Sequence, residues 1–376
     1  MLRIERIVLR EIRLPLKEPF RISSGVVSER RITLLELHGP DGGPAAWSEC
    51  VADEYPNYSA ETIDTAWLAI REWVAPRVLG RDFPGPEAVN AALEHDFRGH
   101  RMAKAAVEMG AWALAAEQQG VPLAKLLGGT RECVSAGISI GIQANPEALA
   151  SRALAARDAG YSKVKIKIAP GSDLPFVRAV REALGPEAHI MADANSAYTL
   201  DDIPLFRKID EYDLIMIEQP LAHDDLLRHA KLQAELRTPL CLDESITSVD
   251  RAEDMIALKS ARIINIKPGR VGGFTQSKAI HDVCQKNGIP VWCGGMLESG
   301  VGRAHNVALA SLPNFTLPGD LSPSARYWER DVVTPEWTMG SDSMVKVPLD
   351  RPGIGVAVDM DRVDGLTVRS EELGKR

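Results

Sequence analysis

Lys167, Asp193, Glu218, Asp243 and Lys267 follow one another at steps of 26, 25, 25 and 24 residues. Three of them are carboxylates, and they are bracketed by two amines. Carboxylate oxygens suit a hard divalent cation such as Mg²⁺, which keeps coordination positions open for substrate oxygens. No histidine or cysteine shares the interval, which disfavours zinc. Lysines beside such a site can move a proton, provided the pKa is lowered from about 10.4 towards roughly 7–8. Lys165 lies two residues from Lys167, on the same face if the segment is a strand, and like-charge repulsion between them acts in that direction. The chemistry expected is proton transfer next to a metal-bound acid.

Each of the five residues lies in or just past a short apolar run: V-K-I-K-I from Val164, H-I-M-A-D-A-N from His189, L-I-M-I-E-Q-P from Leu214, P-L-C-L-D-E-S from Pro239 and I-I-N-I-K-P-G from Ile263. Runs of this kind read as parallel strands buried on both faces. A period of about 25 residues holds one strand, one helix and two short loops, the βα unit of a barrel, whose strand ends converge on one mouth. The intervening segments from Asp173 and from Phe274 carry apolar residues three and four apart, as helices on a sheet do. Adding V-S-A-G-I-S-I-G-I from Val134, P-V-W-C-G-G-M from Pro290 and N-F-T-L-P-G-D from Asn314 gives eight strand candidates.

Residues 1–128 lack this rhythm. Residues 3–14, 30–38 and the run around Trp47 read as strands, with a loop from Pro19 (P-F-R-I-S-S-G-V-V-S) and another from Ala52. Ser59 is placed to cap a helix carrying Ile63, Ala66, Trp67 and Ile70, and helical patterning returns at 86–95 and 101–119. Strands followed by helices without alternation indicate a separate α+β domain. The expected layout is an α+β capping domain over 1–128, a (β/α) barrel over 129–320, and a segment 321–376 that returns to the cap.

Composition narrows the partners. Of 376 residues 45% are hydrophobic, enough for a large core, and the net charge of −8 argues against nucleic acid or an anionic membrane. The charged N-terminal run and the lack of any 18-residue apolar stretch point to a cytoplasmic protein with no membrane span. Five cysteines without a C-x-x-C pair fit neither a complete disulfide framework nor a thiolate zinc site.

Gly137 to Gly141 matches the G-x-S-x-G elbow of hydrolases, which needs a sharp strand-to-helix turn at the serine. Ser139 instead falls inside an alternating strand-like run, so it is expected to face the barrel interior. Gly269, Gly272, Gly273, Gly294 and Gly295 form no nucleotide-binding pattern and are expected to let backbone N–H groups approach a ligand. His281 and His305 are expected on helix surfaces.

The motifs K-V-K-I-K, M-A-D-A-N, I-E-Q-P, C-L-D-E-S, N-I-K-P-G-R-V-G-G and W-C-G-G-M-L-E-S-G together resemble the enolase superfamily, muconate-lactonizing subgroup. The stretch Gly294–Asp320, with G-H-R-M-A-K from Gly99 and P-F-R from Pro19, is similar to the o-succinylbenzoate synthase and N-succinylamino acid racemase family. The resemblance implies an enolase-type TIM-like barrel with Asp193, Glu218 and Asp243 on Mg²⁺, Mn²⁺ being a possible substitute. It implies Lys167 and Lys267 as the acid/base pair with Lys165 beside them. Cap loops near 19–30 and 50–60 would select a small carboxylate substrate, with Phe20, Tyr58, Ser139, Asn195, Gly295 and Leu297 in contact with it. A homo-oligomer is expected. The implied reaction is the dehydration of menaquinone biosynthesis, or racemisation of an N-succinyl amino acid, or both. Other cycloisomerases and dipeptide epimerases of the superfamily are the alternatives; an epimerase should carry D-x-D after the eighth strand, whereas Asp359 and Asp361 come later. A non-catalytic barrel would normally have lost one of the five charged groups, and all are present.

Overall fold

Seven of the apolar runs form one parallel sheet in strict chain order: β4 (Gly137–Ile140), β5 (Lys163–Lys167), β6 (Ile190–Asp193), β7 (Met216–Glu218), β8 (Leu240–Leu242), β9 (Ile263–Ile266) and β10 (Val291–Cys293). They are seen in a computed structural model that describes residues 1–22 and 25–374. The run from Asn314 does not become an eighth strand. It makes single bridges only, Phe315 beside Val291 and Gly319 beside Ala136. Pro318 has no N–H to give a ladder, which explains why pairing stops there. The segment still touches both edges: Gly137 N donates to Gly319 O (2.6 Å) and Asp320 N to Cys293 O (2.9 Å). The ring is thereby closed with eight positions.

Alternation along the strands sorts the interior. Met191, Met216, Cys241, Ile263 and Trp292, one from each of five strands, pack together at the bottom of the ring. Two residues further along, the first four of these runs carry Asp193, Glu218, Asp243 and Asn265 in the same inward direction. The outward residues meet helices such as α5 (Leu174–Leu184), which buries Phe176, Val177 and Val180. The other barrel helices are α4 (Pro146–Asp158), α6 (Ile203–Ile209), α7 (Leu226–Ala234), α8 (Val249–Leu258), α9 (Phe274–Lys286) and α10 (Gly300–Ala310).

The cap is a four-stranded antiparallel sheet backed by helix α3 (Arg101–Gln119). Strand β1 (Arg6–Ile22) pairs with β2 (Gly25–His38), β2 with β3 (Ala46–Cys50), and the far side of β1 with β11 (Thr367–Gly374). The loop expected from Pro19 is mostly strand. Phe20 faces Val27 and Arg21 faces Val26, so β-branched cross-strand pairs extend the hairpin past a register shift between Pro15 and Phe20. Ser23 and Ser24 of that segment lie outside the described residues. The helix that starts at Ile63 is capped by Thr62, not Ser59, because Thr62 and Thr65 form a reciprocal capping box.

Two buried cap carboxylates close helix N-termini of the barrel. Glu108 accepts from the N–H groups of Phe274 (2.7 Å) and Thr275 (3.0 Å) at the start of α9. Glu49 accepts from Ser299 Oγ (2.6 Å) and from the N–H of Gly302 (3.0 Å) at the start of α10. Gly269 and Gly273, expected near a ligand, serve this junction instead: a Cβ would strike Val51 at the first and Glu108 at the second.

The two histidines are buried, against the surface placement expected of them. His281 stacks on Phe315 (5.7 Å) and accepts from Asn314 N (2.9 Å). His305 stacks on Phe274 (5.4 Å), and its Nε2 donates to Trp47 O (2.8 Å), joining α10 to the cap. His281 lies on the buried face of α9, whose Asp282, Gln285 and Lys286 stay exposed, whereas α10 is buried along its whole length. With Nε2 donating, Nδ1 carries no proton and has no partner. Burial holds the His305 imidazole down at about 4. Between that value and the ordinary 6.5 the unfolded chain binds the extra proton, so stability falls as pH drops through this window, by roughly 3 kcal/mol for this group. Urea titrations of wild type and His305→Gln from pH 7 to pH 4.5 should show a shallower loss in the variant. Equal slopes would remove His305 from the acid response.

Candidate active site

Adjacent strands carry the charged residues in register. Lys167 lies opposite Asp193, and Asp193 opposite Glu218. Asp243 and Lys267 follow the last residues of β8 and β9. All five are buried. Strands β5 and β9 stand four positions apart in the ring of eight, so Lys167 and Lys267 approach from opposite sides.

The ammonium groups are held by the acids between them. Lys167 Nζ donates to Asp193 Oδ2 (2.6 Å) and to Asn195 Oδ1 (2.8 Å). Lys267 Nζ donates to Asp243 Oδ2 (2.7 Å), and Arg270 takes the other oxygen of Asp243. Lys165 Nζ stands 2.6 Å from Asp320, 3.1 Å from Glu218 and 3.4 Å from Asp193. Burial pushes Asp193 up, but Lys167 and Lys165 outweigh it and hold the carboxyl below its ordinary range. The same opposition, with Lys267 and Arg270 prevailing over burial, lowers Asp243. Burial disfavours charge on Lys165 and Lys267 too, yet the facing acids keep both well above the usual lysine range. Glu218 behaves differently. Burial, Asp193 and Asp243 push it up to about 8 against the pull of Lys165. Lys165 and Glu218 therefore shift the same way although they are paired, because Lys165 is shared among three acids and Glu218 is the least compensated of them.

A divalent cation can be tested against these residues. As they stand, no three acidic, histidine or cysteine side chains among the described residues surround a common point. Asp243 is turned to Lys267 and Arg270. The donor set itself fits: three carboxylates at neighbouring strand ends, one of them pushed up by burial and by the charge of the other two, offer oxygens only.

A cavity of about 510 Å³ opens above this cluster, and Phe20, Tyr58, Asn195, Gly295 and Leu297 line it with both lysines. Ser139 lines a smaller chamber of about 60 Å³ between Lys165, Lys167 and Lys267. Ser139 sits in mid-strand, its buried Oγ without a hydrogen-bond partner. Asn195 turns its carboxamide oxygen to Lys167. Tyr58 reaches in from the cap: its hydroxyl donates to Asp243 Oδ1 (2.8 Å), and its ring lies under Lys267 Nζ (4.4 Å). Gly294 gives Lys267 its space, since a Cβ there would strike Asn265 and Lys267.

Four residues of the cluster escaped the sequence reasoning. Arg270 lies one helical turn after Lys267, in the quoted K-P-G-R. Asn265 donates to Glu218 Oε1 (2.6 Å) from two residues before Lys267, on the same face. Glu244 adjoins Asp243, and burial with the charge of Asp243 pushes it up to about 7. Asp320 ends the bridging segment and grips Lys165, with Lys163 Nζ at 3.6 Å from its other oxygen. Strand alternation is the signal that turns Asn265 inward, and the closing P-G-D carries the acid, but neither has the 25-residue spacing.

Residues 4–128 match the mandelate racemase / muconate lactonizing enzyme N-terminal domain, and residues 148–362 match the enolase C-terminal domain-like family. The chain is 47% identical to the o-succinylbenzoate synthase of Geobacillus kaustophilus, with 97% of this chain and 96% of the relative covered. It is also 47% identical to the N-succinylamino acid racemase of Thermus thermophilus, with 98% of each chain covered. A crystal structure of an enolase superfamily member from Listeria innocua superposes with a TM-score of 0.95 at 41% identity over 99% of both chains. Among the described residues no helix is long and apolar enough to cross a membrane.

Proposed function

This chain belongs to the enolase superfamily, in its mandelate racemase / muconate lactonizing branch, and from that premise we propose that it removes the proton α to a carboxylate, as an o-succinylbenzoate synthase, an N-succinylamino acid racemase, or both. The observation that carries this reading is the pair of buried lysines facing one cavity from opposite sides, with three strand-end acids between them. Asp193, Glu218 and Asp243 would hold Mg²⁺, or Mn²⁺ in its place. The bound cation would supply positive charge at the substrate carboxylate.

In its neutral amine form Lys167 takes the α-proton from one face of the substrate onto Nζ and becomes the ammonium that Asp193 and Asn195 hold. Lys267 Nζ, kept as an ammonium by Asp243, carries a proton to the opposite face. In racemisation the two exchange roles with the enantiomer. In the dehydration Lys167 takes the proton and then assists loss of the hydroxyl on the same face, while Lys267 contributes charge. Lys165, fixed by Asp320, Glu218 and Asp193, offers preorganised positive charge where negative charge develops. Asn195 orients Lys167, and Tyr58 with the cap shields Lys267 from water. We take residues 1–128 with 321–376 as the cap and 129–320 as the barrel, working in the cytoplasm on a small carboxylate.

The deciding experiment is an assay of purified protein with Mg²⁺ on the cyclohexadiene carboxylate precursor and on N-succinyl amino acids. Failure to turn over either, with no α-proton exchange in D₂O, would reject the reading. A second measurement probes the mouth. Phe20→Ala and Tyr58→Ala are expected to raise KM or shift substrate preference more than they lower kcat, because lost cavity contacts weaken binding before they weaken proton transfer. Unchanged kinetics across several substrates would place both residues outside the site.

A further inference from the structure

Phe20 lines three spaces at once: the mouth, the inner chamber between the lysines, and a side chamber of about 380 Å³ on the far side of its ring. Tyr327 forms the rest of the wall between the inner and side chambers. The side chamber is built by both domains. Arg21 O accepts from Ile142 N (3.0 Å), and Lys17 N donates to Tyr327 O (2.9 Å), so the cap hairpin is pinned to the end of β4 and to the C-terminal segment.

Charge distinguishes the side chamber from the mouth. Around the mouth Arg13 and Arg30 face Glu29, Asp53 and Glu54, and both arginines are taken, Arg13 by Glu29 (2.9 Å) and Arg30 by Asp53. Apart from the lysines, the mouth is short of positive charge by one. The side chamber sets Arg21, Arg152 and Arg326 against Glu18 alone, an excess of two. Glu18 pairs with Arg152 (2.7 Å). Arg326 lies against Tyr327 (5.3 Å), its Nη2 reaches Ser139 O at 3.5 Å, and its buried Nε has no partner. The side chain of Ser139 lines the inner chamber, so one residue separates this guanidinium from the place where the proton moves.

We propose that the side chamber is a carboxylate subsite that takes the far carboxylate of a dicarboxylate substrate, with Arg326 as the residue that determines specificity and Arg152 as the second cation. This deepens the reading above and rests on it for the identity of the substrate. An α-carboxylate drawn to the cation that the strand-end acids would hold leaves a four-carbon acyl tail to run past Phe20, and an under-bonded guanidinium is the partner that a carboxylate fits best.

Two measurements test it. Calorimetry of the Mg²⁺ enzyme with N-succinylglycine and with its succinamoyl amide, alike in shape but lacking the far charge, should show the acid bound about tenfold or more tightly. Arg326→Gln and Arg152→Gln should each bring that ratio towards one, as should the ratio of kcat/KM for N-succinyl over N-succinamoyl amino acids. A wild-type ratio near one, or a ratio kept in both variants, overturns the subsite. If Arg326→Gln fails to fold, Arg152→Gln, on an exposed helix face, decides. Preferential binding without turnover or α-proton exchange would reject the racemase reading and keep the subsite, whereas turnover without the preference would do the reverse.

Discussion

Lys167→Arg is expected to lose racemisation of an N-succinyl amino acid by about 10³-fold or more while still exchanging the α-proton of one enantiomer with solvent deuterium, and Lys267→Arg is expected to do the same for the other enantiomer. The reason is geometric. The lysines stand four positions apart in a ring of eight, so each addresses one face of a substrate bound between them. Arginine keeps the positive charge that faces Asp193 or Asp243, but its pKa above about 12 disqualifies it as a base. Charge and proton transfer are thereby separated in one substitution. NMR of the α-proton in D₂O, for each enantiomer and each variant, reads the result. If either variant exchanges both enantiomers at the wild-type rate, the two-base mechanism is wrong.

The second large effect concerns the acids. Asp243→Asn and Glu218→Gln should each abolish turnover and the stabilisation conferred by Mg²⁺, which for wild type amounts to about 2.7 kcal/mol at a hundredfold excess over Kd. Their effects on the metal-free protein should differ. Asp243 is the counter-charge of Lys267 and Arg270, and removing it leaves buried cations uncompensated at a cost of about 3–5 kcal/mol. Glu218 is already pushed up to about 8, close to the neutral form that glutamine imitates, so Glu218→Gln should leave metal-free stability near wild type. Chemical denaturation with EDTA and with Mg²⁺ separates the two contributions. Full activity of EDTA-treated wild type would sink the metal role, and equal destabilisation by the two variants would contradict the charge balance described here.

Much of this arrangement was legible in the residues. A constant step between charged strand ends is a direct imprint of the βα unit, so the sequence alone places Lys167, Asp193, Glu218, Asp243 and Lys267 together. Asp320 could not, because it comes from a segment without the strand period, where Pro318 stops the ladder one residue before the closing bridge. His281 and His305 were misjudged for a related reason. A polar residue on a helix reads as solvent-facing unless its neighbours are known; His281 lies on the inward face of α9 against Phe315 of the bridging segment, and α10 is buried along its whole length. The glycines of the K-P-G-R-V-G-G run failed the same way, since the close approach they permit is to Val51 and Glu108 of another domain. Contacts between distant parts of the chain leave no local periodicity to read.

The pairing of β11 with β1 has a consequence for how the chain is made. Residues 6–12 leave the ribosome long before Thr367–Gly374, the strand that covers their outer edge. During synthesis the barrel ring can close as soon as residue 320 is out, while the cap sheet still presents an open row of N–H and C=O groups along β1. A polysome carries many such nascent chains side by side, each displaying the same unpaired edge. A chain that stops before residue 367 therefore has its ring of lysines and acids assembled and an adhesive strand exposed, so Thr367–Gly374 acts as the molecule's protection against its own copies.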